Sequence, residues 1–507
     1  MKPASLGTVI STFEGPSTAS FSFVVSSPSV RKGKFVTVGG EEGALFVGAV
    51  QEIMRSNRYF ERPESVSEYE RQASPEGASF SDNFPAGEWE VSVAKCSLLG
   101  TFTGHGKLGR AVFPPKPGAK VSDADEALLE KFLGFQQNGL HLGKLAQHEV
   151  EVKVPLSRLL QKHLAILAMS GAGKSVLSSV IIEELISRKK EDGRIAVIVL
   201  DVHGEYAGFA RDPEFSKKTK VVNAEGVKIS CKHLSAGLLR ELSDATRTGS
   251  REFEKIIKQL NMEGGEAFDL AAVEGAVEAS EMKDNVKGAL KSALFEVGTL
   301  DLFGKTDTPS ALELAQAGGL TVVDFSDTIN QRKKQVIASH FARKLFRLRR
   351  DGKVPPFLLL VEEAHNFAPE KTRAENAVSK SAIETIAREG RKFGACLCLV
   401  SQRPVHLSTT ALSQCNSFII MRMTNPNDVM RVGESCEAID SGALGQITTL
   451  GVGEGIVVGE AAPVPFFAKF RDRKSKEVTS GKPLEELARK FDEKEGSHKK
   501  EDAEAFL

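Results

Sequence analysis

Along the first 120 residues, apolar and polar positions alternate in short runs. "GTVIST", "ASFSFVV", "KFVTVGG", "ALFVGAVQEI" and "EWEVSVAKCSLLGTF" are separated by Gly, Pro, Ser and Asn. A period of two marks half-buried strands, and several in series predict a small barrel or sandwich over residues 1–120. Within this region the polar stretch "ERPESVSEYERQASPEGASFSDNFPAG" predicts a long loop. "SDADEALLEKFLGF" then has helical spacing, with Ser122 as the expected N-cap, so residues 121–150 are expected to form a helical bridge.

Beyond residue 150 the period changes. "LAILA", "IAVIVLD", "LTVVDFS", "FLLLVEE", "CLCLVSQ" and "SFIIMR" are continuous apolar runs, as in strands buried on both faces. Helical stretches separate most of them, which predicts an α/β fold with a parallel sheet covered on both sides over 151–233 and 316–470. Residues 234–315 interrupt the alternation. "SREFEKIIKQL" and "MKDNVKGALKSALFEVG" there have apolar residues three and four apart, predicting a helical insert. Residues 471–507 are charged and weakly apolar, and are expected to form an arm and tail.

Charge and cysteine content narrow the class. The chain has 67 basic and 67 acidic residues among 507, which excludes a protein that coats nucleic acid through bulk positive charge. Six scattered cysteines without a CxxC pair predict core thiols in a reducing compartment. The N-terminal stretch has no signal-peptide pattern, and no apolar run reaches the roughly 18 residues of a membrane span. The expectation is a cytosolic protein with no membrane partner.

Candidate chemistry begins at "AILAMSGAGKSVLSS" (165–179), a strand, a glycine-containing loop and a helix start. Such a loop wraps phosphates with backbone N–H groups and aims a helix N-terminus at them. Gly171, Ala172, Gly173, Lys174, Ser175 and Val176 are the expected nucleotide-binding residues, with Lys174 reaching the terminal phosphates and Ser175 holding Mg²⁺. Ala168 stands where the usual pattern has its first glycine. "PPFLLLVEEAHNF" (355–367) brings two consecutive carboxylates to the end of a strand, where α/β sheets place ligands. Glu362 is expected at a metal-bound water and Glu363 at the attacking water. Gln402, after another strand, is placed to sense the γ-phosphate. The basic turn "IAREGRKFG" (386–394) contains Arg388 and Arg391, candidates for an arginine finger inserted into a neighbour's site.

Together "SGAGKS", "LDVHGEY", "VEEAH", "AREGRKFG" and "SQRP" resemble, in order and spacing, the archaeal HerA family of hexameric DNA translocases, related to the FtsK motors. The resemblance implies a RecA-like P-loop ATPase core preceded by a small β-barrel. By position, Glu363 resembles the catalytic glutamate and Arg388 the trans-acting arginine. Lys162 falls where the family tends to carry an arginine near the nucleotide. Lys162, Ala168 and Glu362 are the departures. The implied activity is ATP-driven movement of duplex DNA through a homo-hexamer, with ATP and Mg²⁺, beside a NurA-type nuclease that trims broken ends. "EKTRAENAVSK" (370–380), with Lys371, Arg373 and Lys380, is the expected DNA-contacting loop, whereas the denser basic run 331–350 is expected to be an amphipathic helix packed on the sheet. Two alternatives remain open: a conjugation or secretion motor ATPase, and an ATP-binding scaffold with slow turnover.

Overall fold

The structure is a computed structural model. It describes residues 5–11, 15–57, 60–64, 66–67, 90–102, 108–263, 267–371, 377–439 and 441–477, with short pieces at 485–486, 488–489 and 491. Most of the polar stretch 61–87, most of the tail beyond 477 and Arg373 therefore lie outside the described residues. The chain divides into two compact units. The first comprises Met1–Leu177, Gln402–Val405 and Leu412–Arg471, and the second Ser178–Ser401, His406–Ala411 and Asp472–Leu507.

The first unit begins with β1 (Ser5–Ile10), β2 (Ser20–Val25), β3 (Phe35–Gly39), β4 (Leu45–Asn57), β5 (Glu90–Phe102), β6 (Leu108–Gly109) and β7 (Lys120–Asp123). The order β2-β1-β7-β3-β4-β5, closed by pairing of β2 with β5, makes a six-stranded antiparallel barrel, with β6 added beside β5. Alternate residues such as Phe21, Phe23, Val36, Val38, Ala94 and Cys96 fill its interior. Closure leaves none of the six strands with an unpaired edge.

The predicted helix is α1 (Glu126–Leu133), which ends at Gly134 in the left-handed region. Ser122 does not cap it: Ser122 is paired in β7, and the cap position falls to Asp125, whose side chain makes no capping bond. Strand pairing claims the backbone there before the helix can start. The bridge segment also contains β8 (Leu140–Leu145), which pairs antiparallel with β9 (Glu151–Val154). Its alternating burial follows "LHLGKL", a period-two pattern too short to stand out beside the helix.

A buried contact ties the barrel to the segment after β8. The Phe35 amide donates to His148 Nε2 at 3.0 Å, and Lys34 pairs with Asp123 at 2.7 Å. Burial pushes the His148 imidazole down to about 4. The unfolded chain therefore binds more protons than the folded one between about pH 6.5 and 4, so stability falls as pH falls through that window. We expect the melting temperature to drop on acidification across it, and His148→Gln, which keeps an acceptor that cannot protonate, to flatten the drop. Thermal melts at pH 7.5 and 4.5 check this.

In chain order, β10 (Leu164–Leu167) leads through a glycine loop into α2 (Lys174–Ser187). The second unit then contributes β11 (Ala196–Asp201), β12 (Thr219–Asn223) and β13 (Ile229–Ser230). The insert follows as α3 (Ala236–Leu242), α4 (Arg247–Glu263), α5 (Leu270–Ala279) and α6 (Asp284–Gly298), so its predicted helices are present. After β14 (Phe303–Gly304), paired with β13, come β15 (Leu320–Asp324), α7 (Gln331–Arg350), β16 (Phe357–Val361), α8 (Lys380–Glu389) and β17 (Ala395–Ser401). β12, β15, β11, β16 and β17 form a parallel sheet in that order, with Ile198 of β11 opposite Thr321 and Leu359. β11, β16 and β17 are buried along their whole length, as continuous apolar runs require.

In the first unit, β18 (Ser417–Met421) pairs parallel with β10, and α9 (Pro426–Ser435) follows it. Then β19 (Glu454–Gly459) and β20 (Phe466–Phe470) continue antiparallel to β8 and β9. The expected parallel strands are all present, but the sheet is mixed. Short hairpin connections join β8 to β9 and β19 to β20, whereas β18 with β19, β20 with β8 and the parallel pairs are brought together by long connections. All six cysteines are free and buried. Among the described residues no helix is long and apolar enough to cross a membrane.

Candidate nucleotide and carboxylate site

The glycine loop leaves β10 at the C-terminal end of a strand. Gly171 and Gly173 have φ of +75° and +99°, the left-handed backbone that glycine adopts without strain. A Cβ on Gly173 would also be tight, 3.3 Å from Met421 Cε and 3.4 Å from the Gly453 nitrogen. The Met169 amide donates to the Arg422 carbonyl and the Gly453 amide to the Ala172 carbonyl, so the end of β18 and the turn before β19 brace the loop. Ala168 is fully buried, its methyl enclosed in the core. Lys174, the first residue of α2, is buried, while Ser175 and Val176 in the same turn are half-buried.

The helix beyond is buried around most of its circumference: Leu177, Val180, Ile181, Ile182, Leu185 and Ile186 are fully buried, and so are Ser178 and Ser179. Part of the cover comes from a segment hundreds of residues later. Glu183 is 1% exposed, and its Oε1 accepts from the Lys474 and Ser475 amides and the Ser475 hydroxyl at 2.7–2.8 Å. Asp212 accepts from the Lys476 amide at 3.0 Å, and the Arg473 guanidinium lies 5.5 Å from the centre of the Phe209 ring. Residues 473–476 thus form a strap, which sequence periodicity did not reveal because it has no regular secondary structure.

The twin carboxylates end β16. Glu362 is fully buried and accepts from the Val202 amide at 3.2 Å through Oε2. Glu363 adopts φ +45°, ψ 49°, a left-handed backbone costing a non-glycine residue about 1–2 kcal/mol. Its Oε2 lies 3.4 Å from His365 Nδ1, and the same nitrogen lies 3.1 Å from the Ser401 hydroxyl at the end of β17. The 364–366 turn is held from α7, since Gln331 and Gln335 both donate to the Asn366 carbonyl. His365 and Ser401 were missed in the sequence; the signal available was a histidine two residues after a strand-end glutamate.

Asp201, at the end of β11, takes a role that the sequence left open. Oδ1 accepts from the amides of His203, Gly204 and Glu205, and Oδ2 from that of Tyr206. One fully buried carboxylate therefore folds the "VHGEY" turn. Burial raises its pKa, and the amide hydrogen bonds act in the opposite direction by stabilising the anion.

Other expected residues are not all brought to the loop. Lys162 precedes the N-terminal end of β10, so about 13 Å of strand separates it from the phosphate loop at the other end. It pairs with Glu460 there, so within one chain Lys162 and the loop are apart. Arg388 is exposed on α8, 3.8 Å from Glu384, and Arg391 and Lys392 are exposed in the turn after it. Gln402 is half-buried just past β17. Lys371 is exposed, whereas Lys380 donates to the Glu370 carbonyl at 3.1 Å. The basic run in α7 is largely engaged: Lys333 with Glu225, Arg343 with Ser381, Lys344 with Asp307, and Arg349 with the Phe393 and Val354 carbonyls. These contacts, with Val336, Phe341 and Leu345 buried, fit the packed amphipathic helix expected there.

Comparisons with known proteins agree with this architecture. A family model described as "Helicase HerA, central domain" matches residues 140–345. The chain is 31% identical over 467 residues to a probable helicase of Methanocaldococcus jannaschii, covering 86% of this chain and 85% of that protein. It is 28% identical over 519 residues to the DNA double-strand break repair helicase HerA of Pyrococcus furiosus, covering 89% and 90%. Among solved structures, VirB4 of Thermoanaerobacter pseudethanolicus is similar with a TM-score of 0.51 at 16% identity, over 67% of this chain and 98% of that one. That likeness is one of fold.

Proposed function

Because the chain belongs to the HerA family of helicases, we propose that it is an ATP-driven motor on duplex DNA that serves the repair of double-strand breaks. The observation that carries the reading is the pair of strand-end devices: a phosphate-type loop running into buried Lys174, and two buried consecutive carboxylates with Glu363 in a left-handed turn. In this reading Lys174 and the amides of 171–176 hold the ATP phosphates. Glu363 orients and polarises the attacking water, Gln402 reads the γ-phosphate, and Arg388 serves a neighbouring subunit's site.

Ser175 and Glu362 fit a magnesium ion by donor chemistry, a hydroxyl at the helix start and a carboxylate, both oxygen donors that a hard cation selects. The ion would neutralise charge on the phosphates. The exposed, loosely paired Arg388 supports action in trans, since an arginine tied into its own subunit could not reach another. A homo-hexamer around DNA, with Lys371, Arg373 and Lys380 near the phosphate backbone and a NurA-type nuclease as partner, completes the proposal. Lys162 is assigned to the nucleotide only across a subunit boundary.

The test is ATP hydrolysis with and without duplex DNA, with sedimentation in the presence of nucleotide. We expect stimulation by DNA and a ring-sized particle. Hydrolysis indifferent to DNA would refute the motor, and a monomer under all conditions would refute the role of Arg388.

A further inference from the structure

We propose that His365 is a two-position latch on Glu363, thrown by Ser401, which keeps hydrolysis low until DNA is engaged. The proposal rests on the ATPase reading above and names how that site is regulated. Three observations carry it. His365 Nδ1 faces both Glu363 Oε2, at 3.4 Å, and Ser401 Oγ, at 3.1 Å. Glu363 is 4% exposed and its backbone is held in a left-handed turn, so the groups packed against its carboxylate decide where that carboxylate points. Ser401 is fully buried at the end of β17, and the next residue in the chain is Gln402, assigned to the γ-phosphate.

One ring nitrogen cannot serve both neighbours in the same way. With its proton on Nδ1, the imidazole donates to the Glu363 carboxylate and holds it aside. With its proton on Nε2, Nδ1 presents a lone pair instead. That lone pair accepts from the Ser401 hydroxyl and repels the carboxylate, which is then released toward water. The change moves one proton between ring nitrogens through solvent, which the half-buried ring reaches, and no heavy-atom bond changes. A shift of Ser401 selects between the two arrangements. His365 is thus a positioning residue, acting through Glu363.

The contact is long for a charge-assisted hydrogen bond, so its loss is worth about a fivefold change in rate. The experiment measures kcat and KM for ATP, with and without duplex DNA, in the full chain and in His365→Ala, His365→Asn and Ser401→Ala. We expect His365→Ala to raise the DNA-free kcat about fivefold while KM stays within about twofold, shrinking stimulation by DNA. His365→Asn, whose amide nitrogen can take the place of Nδ1, restores the low DNA-free rate. Ser401→Ala removes the competing donor and lowers the DNA-stimulated rate instead. If His365→Ala lowers both rates in parallel, or His365→Asn behaves like His365→Ala, the latch is overturned while the ATPase reading stands. A wild-type chain without ATP hydrolysis overturns both.

Discussion

Glu363→Gln is expected to bind ATP as tightly as the wild type and to turn it over about a hundred to a thousand times more slowly, the usual loss when a positioned general base is neutralised. The substitution keeps the size and shape of a side chain that is 4% exposed, so the strand end and the His365 contact lose only charge. In the proposed reading the phosphates are held by the loop at 171–176, which the substitution leaves untouched. A nucleotide-binding titration beside a steady-state ATPase assay separates the two quantities. Turnover within a few-fold of wild type would remove Glu363 from the chemistry. Weakened binding would instead mean that the carboxylate supports the site's structure.

The second large effect falls on stability. Asp201→Ala strips four backbone amides, those of residues 203–206, of their acceptor; Tyr206 is buried, whereas residues 203–205 reach solvent in part. Each unsatisfied buried donor costs about 1–3 kcal/mol, and relaxation of the turn returns part of the sum. A net loss of roughly 3–5 kcal/mol is expected, as when one partner of a buried charged network is removed. The melting transition should fall by about 10 °C for a unit of this size. Asp201→Asn keeps an acceptor for the Oδ1 cluster and loses less. Calorimetry distinguishes the three proteins, and an alanine variant melting within a degree of wild type would show the turn to be folded by something else.

Both substitutions act on positions whose importance is differently visible in the chain. Glu363 is legible because five apolar residues and a carboxylate pair are contiguous, so strand and candidate chemistry are written in one short window. Asp201 is legible as a residue at a strand end, but its role is not, because four amides converge on it only once the turn has closed. The polar stretch that caps Glu183 is 292 residues away in the chain, beyond the reach of any periodicity. Lys162 shows the converse, nearness in sequence to the loop without nearness to it within one chain. It is twelve residues before Lys174 in sequence, yet a strand crossing the sheet separates the two.

What the sequence determined alone is therefore local. Continuous apolar runs made buried parallel strands, alternation made the barrel, and Gly171 and Gly173 allowed the left-handed turns of the loop. Backbone preference and burial pattern act within a few residues, so a single chain reading recovers them. The tertiary structure decided which carboxylate faces a histidine, which folds a turn and which is sealed by a strap. It also added the antiparallel strands β8, β9, β19 and β20, among which β20 pairs with β8 from more than 300 residues away. Those outcomes depend on electrostatic and hydrogen-bond partners that only packing brings within 3 Å or so, where a buried polar group must find its acceptor.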